Sequence, residues 1–270
     1  MRLGISSYTF SWAVGVPGRE PPEPLTPLGL LDKAASLGVR LVQVIDNMPL
    51  FGRPDDELDA FRRRADELGI EIEIGTSGIR PDHLTRFLSL ARRLRSRIVR
   101  VLTDTADDKP SAAEAESLLQ QSLPEYERAG VCIAVENHDR IPTGEIARIM
   151  ERTASSYLGV CLDTVNSFGA LEGPEVVVRT LAPWVVNLHL KDFWVRRANH
   201  QMGFVIEGRP AGQGRLNIPW LLEELRRAGA NPNAVLELWT PEEPSLADTI
   251  AKEARWAQES ISYLRTLIQD

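Results

Sequence analysis

The chain is poor in cysteine and histidine, and it lacks long apolar runs. Two cysteines, Cys132 and Cys161, occur in 270 residues. Both fall inside apolar runs of strand length, where a free thiol behaves as a small hydrophobe. A disulfide framework is therefore not expected, and a reducing compartment is. No apolar run approaches the roughly 20 residues of a membrane span. The opening MRLGISSYTF runs straight into a strand without the charged and apolar regions of a secretory signal, so a cytoplasmic protein is expected. Positive charge is also short. Lys and Arg number 31 against 38 Asp and Glu, a net charge of −7 that argues against a nucleic-acid partner. Finally, no G-x-G-x-x-G follows the first strand-like run, which weakens the case for an open doubly wound sheet.

Strand-like and helix-like segments alternate from end to end. Strands are expected at residues 2–7, 39–46, 70–75, 97–103, 131–136, 157–163, 185–191 and 234–239. Helices are expected at 28–37, 54–68, 81–95, 110–129, 143–152, 174–182, 218–228 and 245–268. The 54–68 segment opens with Pro54 and an acidic first turn and stops at Gly69. Eight βα units predict an α/β fold, a single (β/α)8 TIM barrel domain over residues 1–270. Two long connections, 8–27 and Phe193 to Asn217, follow strands and so belong over the carboxyl face of such a barrel, where active sites form. Gly208, Gly212 and Gly214 are candidate hinges for a lid in the second.

Four of the last strands end in a polar residue with metal-ligating capacity. VCIAVEN carries Glu136, YLGVCLD carries Asp163, VVNLHLKD carries His189 and AVLELW carries Glu237. A buried strand has no structural use for an unpaired carboxylate. Individually each residue reads as a cap or a core histidine; together, at the same end of successive strands, they define a candidate site for one divalent metal ion. Three oxygens and one imidazole suit Mn²⁺ best, with Mg²⁺, Co²⁺ or Zn²⁺ as alternatives. His138 in place of His189, or Glu242 in place of Glu237, are variants of the same assembly that lie beyond the strand ends.

The runs ENH at 136–138, LDTVNS at 162–167, HLKD at 189–192 and GQGRLNIPWLLEEL at 212–225 resemble the sugar isomerase/epimerase superfamily with the xylose-isomerase-like TIM barrel. The resemblance spans essentially the whole chain and is strongest for ketose 3-epimerases in the Glu-Asp-His-Glu order. It implies that Glu136, Asp163, His189 and Glu237 bind the metal, and that Glu136 and Glu237 act as acid and base on opposite substrate faces. The positions expected to contact substrate diverge from those epimerases: Asn166, Val195 and Pro142 stand where they carry a histidine, an arginine and an acidic residue.

The expected activity is thus metal-dependent isomerisation or epimerisation of a sugar or keto-sugar, by proton abstraction beside a carbonyl through an ene-diolate. The alternatives are decarboxylation of an oxo-sugar acid and dehydration of a keto-inositol. Abasic-site endonuclease chemistry on a related barrel uses several histidines, of which this chain has four in all. A non-catalytic binding protein is disfavoured by the presence of both glutamates. A small sugar or sugar-acid substrate is expected, with no membrane or nucleic acid and a possible homo-oligomer. His138, Lys191, Arg196, Asn166 and Trp12 are candidate substrate contacts, with Trp239 as a second aromatic wall. Arg196, Arg197, Arg209 and Arg215 give the lid region a basic character. Glu73 and Arg100, both facing inward by strand alternation, are expected to pair inside the barrel.

Overall fold

In the computed structural model, which describes residues 1–269, eight parallel strands close into a barrel. They are β1 (Leu3–Ser6), β2 (Leu41–Val44), β3 (Glu71–Ser77), β4 (Ile98–Leu102), β5 (Cys132–Glu136), β6 (Leu158–Asp163), β7 (Val185–Leu190) and β10 (Asn233–Leu236). Each pairs with its sequence neighbour in the barrel, and β10 pairs with β1 to close the ring. The expected barrel is the one observed. Strands β8 (Asp192–Arg197) and β9 (Phe204–Arg209) form a separate antiparallel hairpin over the carboxyl face.

Eight helices separate or follow the strands: α2 (Pro27–Leu37), α3 (Asp55–Leu68), α4 (Pro81–Leu94), α5 (Ala112–Ala129), α6 (Thr143–Thr153), α7 (Pro174–Leu181), α8 (Ile218–Arg227) and α9 (Leu246–Leu264). Their limits follow local chemistry. Ser111 caps α5 in a reciprocal hydrogen-bonded box with Glu114, and Gly130 ends it in a left-handed conformation that costs glycine little. Asp55, Asp56 and Glu57 place negative charge at the positive end of the α3 dipole. A short helix, α1 (Ser11–Val14), continues a 3-10 turn at Ser7–Phe10 within the long first loop.

Strand alternation splits the residues between two environments. Ile5, Val42, Ile72, Val99, Ile133, Val160, Leu188 and Leu236 belong to the buried apolar core. The alternate positions carry polar groups: Ser6, Gln43, Glu73, Arg100, Glu136, Asp163, Asn187 and His189 are all buried. Barrel interiors are ordinarily filled by branched apolar side chains. Here hydrogen bonding replaces much of that packing, since each such group needs a partner out of water.

The expected Glu73–Arg100 pair does not form. Register sets Arg100 opposite Gly75, one inward position above Glu73. Gly75 leaves room for it, because a Cβ there would lie 3.1 Å from Arg100 Cδ. Arg100 instead ion-pairs with Glu136, and Glu73 accepts hydrogen bonds from Gln43, Asn187 and Asn233.

Candidate metal centre

The four strand-end residues converge. His189 Nδ1 stands 3.2 Å from Glu136 Oε2, 3.5 Å from Glu237 Oε1 and 3.8 Å from Asp163 Oδ2. All four side chains are almost completely shielded from solvent. Asp163 Oδ1 accepts the backbone N–H groups of Val165 and Asn166, which leaves Oδ2 toward the cluster. Ser6 Oγ donates to Glu237 Oε1, and Asn166 Nδ2 donates to Glu136 Oε1.

The residues fit a divalent ion. His189 Nδ1 is buried and makes no hydrogen bond among the described residues, while three carboxylates surround it. A buried polar atom without a hydrogen bond is uncommon and calls for an explanation such as an ion. Cys161 also has its sulfur within 4.8 Å of Glu136 and His189 ligand atoms. Burial pushes its thiol up to about 11, and Sγ donates to Asn187 Oδ1, so it sits as a neutral thiol at the floor of the cluster. The hard oxygen set is the better match to Mn²⁺ or Mg²⁺.

Two cations share this space. Lys191 Nζ lies 2.7 Å from Asp163 Oδ2 and 2.8 Å from Glu237 Oε2. Arg100 Nε donates to Glu136 Oε2, and its Nη1 stands 3.5 Å from Asp46 Oδ2. Burial opposes charge on Glu136, but Arg100, His189 and Lys191 outweigh it and hold its carboxyl well below the usual carboxylate range. Burial likewise opposes charge on Lys191, yet Asp163, Glu237 and Glu136 keep it an ammonium. Asp163 is shifted the other way: burial raises it despite Lys191.

Glu136 and Glu237 of the cluster line a cavity of about 660 Å³. Its wall includes Tyr8, Asp46, His138, Asn166, Lys191 and Trp239. Of the expected substrate contacts, the structure brings His138, Lys191 and Asn166 to this cavity. Trp12 and Arg196 do not line it. Trp12 turns its indole N–H to the Thr240 carbonyl, so the first loop contributes Tyr8 instead. Arg196 lies on the hairpin and pairs with Glu207, which also binds Arg209. Arg197 and Arg215 stack on Phe204 and Trp194. The basic character of the lid is thus taken up within the hairpin region.

The glycines of this region serve close packing more than hinging. A Cβ on Gly208 would lie 2.1 Å from the Trp239 carbonyl oxygen, and one on Gly214 2.1 Å from Asp192 Oδ1. Asp192 clamps the segment by accepting backbone N–H groups from Phe193, Gly212, Gly214 and Leu216. Sequence reasoning missed Asp46, Tyr8, Ser6 and Gln43 as site components. All but Tyr8 lie at the carboxyl half or end of β1 and β2, the signal that would have found them.

A closed parallel barrel with a three-carboxylate, one-histidine cluster at its carboxyl end defines a barrel protein with a candidate metal centre. The chain belongs to the xylose isomerase-like TIM barrel family, whose model matches residues 31–267. It is similar to the 3-oxo-isoapionate decarboxylase of Pectobacterium atrosepticum, 35% identical over 266 residues, or 98% of this chain and 96% of the relative. Among solved structures it resembles the D-psicose 3-epimerase of Clostridium cellulolyticum determined with D-tagatose, with TM-score 0.76, 15% identity and full coverage of both chains. A xylose isomerase-like TIM barrel protein from Mycobacterium smegmatis in complex with magnesium gives TM-score 0.68 at 13% identity, over 97% of each chain. These two structures share the fold. The epimerase expectation therefore has fold-level likeness behind it, whereas the full-length relative matches the decarboxylase alternative. No helix among the described residues is long and apolar enough to cross a membrane.

Proposed function

We propose that this protein is a divalent-metal-dependent decarboxylase of a 3-oxo sugar acid. The observation that carries the reading is the pair of buried cations, Arg100 and Lys191, set among the ligand carboxylates. Three carboxylates against two cations leave this buried set with one negative charge. A divalent ion turns that into one positive charge, which an anionic substrate would share with the Asp46 carboxylate beside Arg100 on the cavity wall. The full-length likeness to a 3-oxo-isoapionate decarboxylase supports the same substrate class.

In a 3-oxo acid the ketone is β to the carboxylate. Glu136, Asp163, His189 and Glu237 would hold the metal, which supplies Lewis acidity that draws electrons toward the ketone oxygen. The carboxylate carbon–carbon bond breaks, its electron pair moves toward that oxygen, and CO₂ leaves. The remaining carbon takes up a proton, and Lys191 Nζ and the Tyr8 phenol are the proton-bearing groups lining the cavity that can deliver it. Arg100 and Lys191 orient the anion, while Trp239 shields one side from water.

Both Glu136 oxygens already accept hydrogen bonds, from Arg100 and Asn166. This suits a fixed, ionised ligand better than a base that must collect a proton from carbon. Purified protein loaded with Mn²⁺ is expected to release CO₂ from a 3-oxo sugar acid and to lose that activity in EDTA. Stoichiometric deuterium exchange into ketoses in D₂O, with no CO₂ from any 3-oxo acid, returns the reaction to epimerisation.

A further inference from the structure

Beneath the ligand cluster lies a second layer of polar side chains to which the reaction assigns no part. Gln43, Glu73 and Asn187 are fully buried, and Asn233 joins them from β10. Gln43 Nε2 donates to Glu73 Oε2 and to Asn187 Oδ1, both at 3.0 Å. Asn187 Nδ2 donates to the same Glu73 oxygen at 2.7 Å, and Asn233 Nδ2 to Oε1 at 2.8 Å. Gln43 Oε1 then faces His189 Nε2 at 2.6 Å.

Donor and acceptor capacity fixes these orientations. Burial raises the Glu73 carboxyl, and the amide groups of Asn233, Gln43 and Asn187 oppose that shift. With Oε2 accepting from both Gln43 and Asn187, the nitrogen end of Gln43 faces it. Both Gln43 amide hydrogens are then used. Turning the amide over would set its oxygen against Glu73 Oε2 and Asn187 Oδ1, acceptor against acceptor in a dry interior. The oxygen end therefore stays toward His189, where it demands a proton on Nε2.

We infer that Glu73 and Gln43 form a positioning relay that holds His189 as the Nε2–H tautomer and so presents the Nδ1 lone pair to a divalent ion. Glu73 acts through Gln43, and neither touches the ion. Gly75 is part of the same device: it lets Arg100 rise to Glu136, which keeps a cation away from Glu73 and leaves that carboxylate to organise amides. The inference rests on the four strand-end residues being metal ligands and is independent of the reaction they serve.

Zn²⁺-loaded protein labelled with ¹⁵N-histidine tests it directly, since only four histidines contribute signals. The His189 proton is expected on Nε2, with Nδ1 shifted by the metal. A proton on Nδ1 overturns the relay. Mn²⁺ affinity, read from the EPR signal of free Mn²⁺, is expected to fall roughly 10- to 100-fold in Gln43→Met. Asn233→Leu removes one amide from Glu73 but leaves the Gln43 contact to His189 in place, and is expected to bind within about threefold of the parent. Equal weakening in both variants reduces Gln43 to a packing role and overturns the proposal, as does unchanged affinity in Gln43→Met. Failure of the parent protein to bind Mn²⁺ at all removes the metal site itself, a separate result.

Discussion

Lys191 has two effects of opposite sign. Its ammonium bridges Asp163 Oδ2 and Glu237 Oε2, two oxygens that a metal would also use. It therefore competes with the cation while supplying charge for an anionic substrate. Lys191→Met is expected to bind Mn²⁺ about 3- to 10-fold more tightly, because repulsion at close range disappears. Its kcat/KM on a 3-oxo sugar acid is expected to fall by at least about 100-fold. Calorimetry and CO₂ release measure the two. Weaker metal binding in this variant counts against the competition, and undiminished turnover counts against a substrate role.

The hairpin of β8 and β9 illustrates what one carboxylate does for an element. Asp192 spreads four backbone N–H groups over its two oxygens, at 2.8 to 3.0 Å. The glycines at 208 and 214 allow the chain to come within contact of Trp239 and Asp192. The segment is thus anchored at its base and not hinged there. Asp192→Asn replaces one acceptor oxygen by an NH₂ group facing two donors. A loss of about 3 kcal/mol is expected from urea unfolding, since hydrogen bonds to charged groups are the stronger kind. A change below about 0.5 kcal/mol, the range of ordinary surface substitutions, contradicts the clamp. Trp239 lies on the cavity wall, so a loosened hairpin also predicts a raised KM.

At the scale of the molecule, β1 and β10 close the ring, and the first loop is joined to the last helix beside that closure. Glu253 on α9 accepts the Trp12 and Ala13 N–H groups at 3.0 and 3.1 Å, capping α1 from the other end of the chain. Burial pushes the Glu253 carboxyl up to about 8, against those hydrogen bonds, which favour its charge. The folded state therefore keeps a proton that the unfolded chain releases near 4.5. Stability from this group is full below the unfolded value and is lost as pH rises through about 8. Between about pH 5 and about pH 9 the protein is expected to lose on the order of a few kcal/mol that Glu253→Gln retains. Parallel pH profiles for the two proteins rule this out.

The order of the barrel strands and of the helices between them, and the convergence of the four strand-end residues, were legible in the sequence; the hairpin of β8 and β9, expected only as a long connection, was not. The legible parts rest on local or periodic signals: strand alternation, helix caps, and a polar residue at the end of an apolar run. Those signals survive folding because a period of two residues determines which side chains face inward. Partner choice inside the barrel was not legible. Glu73 and Arg100 both face inward, and only strand register put Arg100 beside Glu136 and left Glu73 to three amides. The same holds for Trp12, whose strand-end position suggested a cavity wall but whose indole found a carbonyl elsewhere. Sequence alone determined which residues enter the interior and at which end; the tertiary structure decided which of them meet, because register and shear are properties of strands from distant parts of the chain.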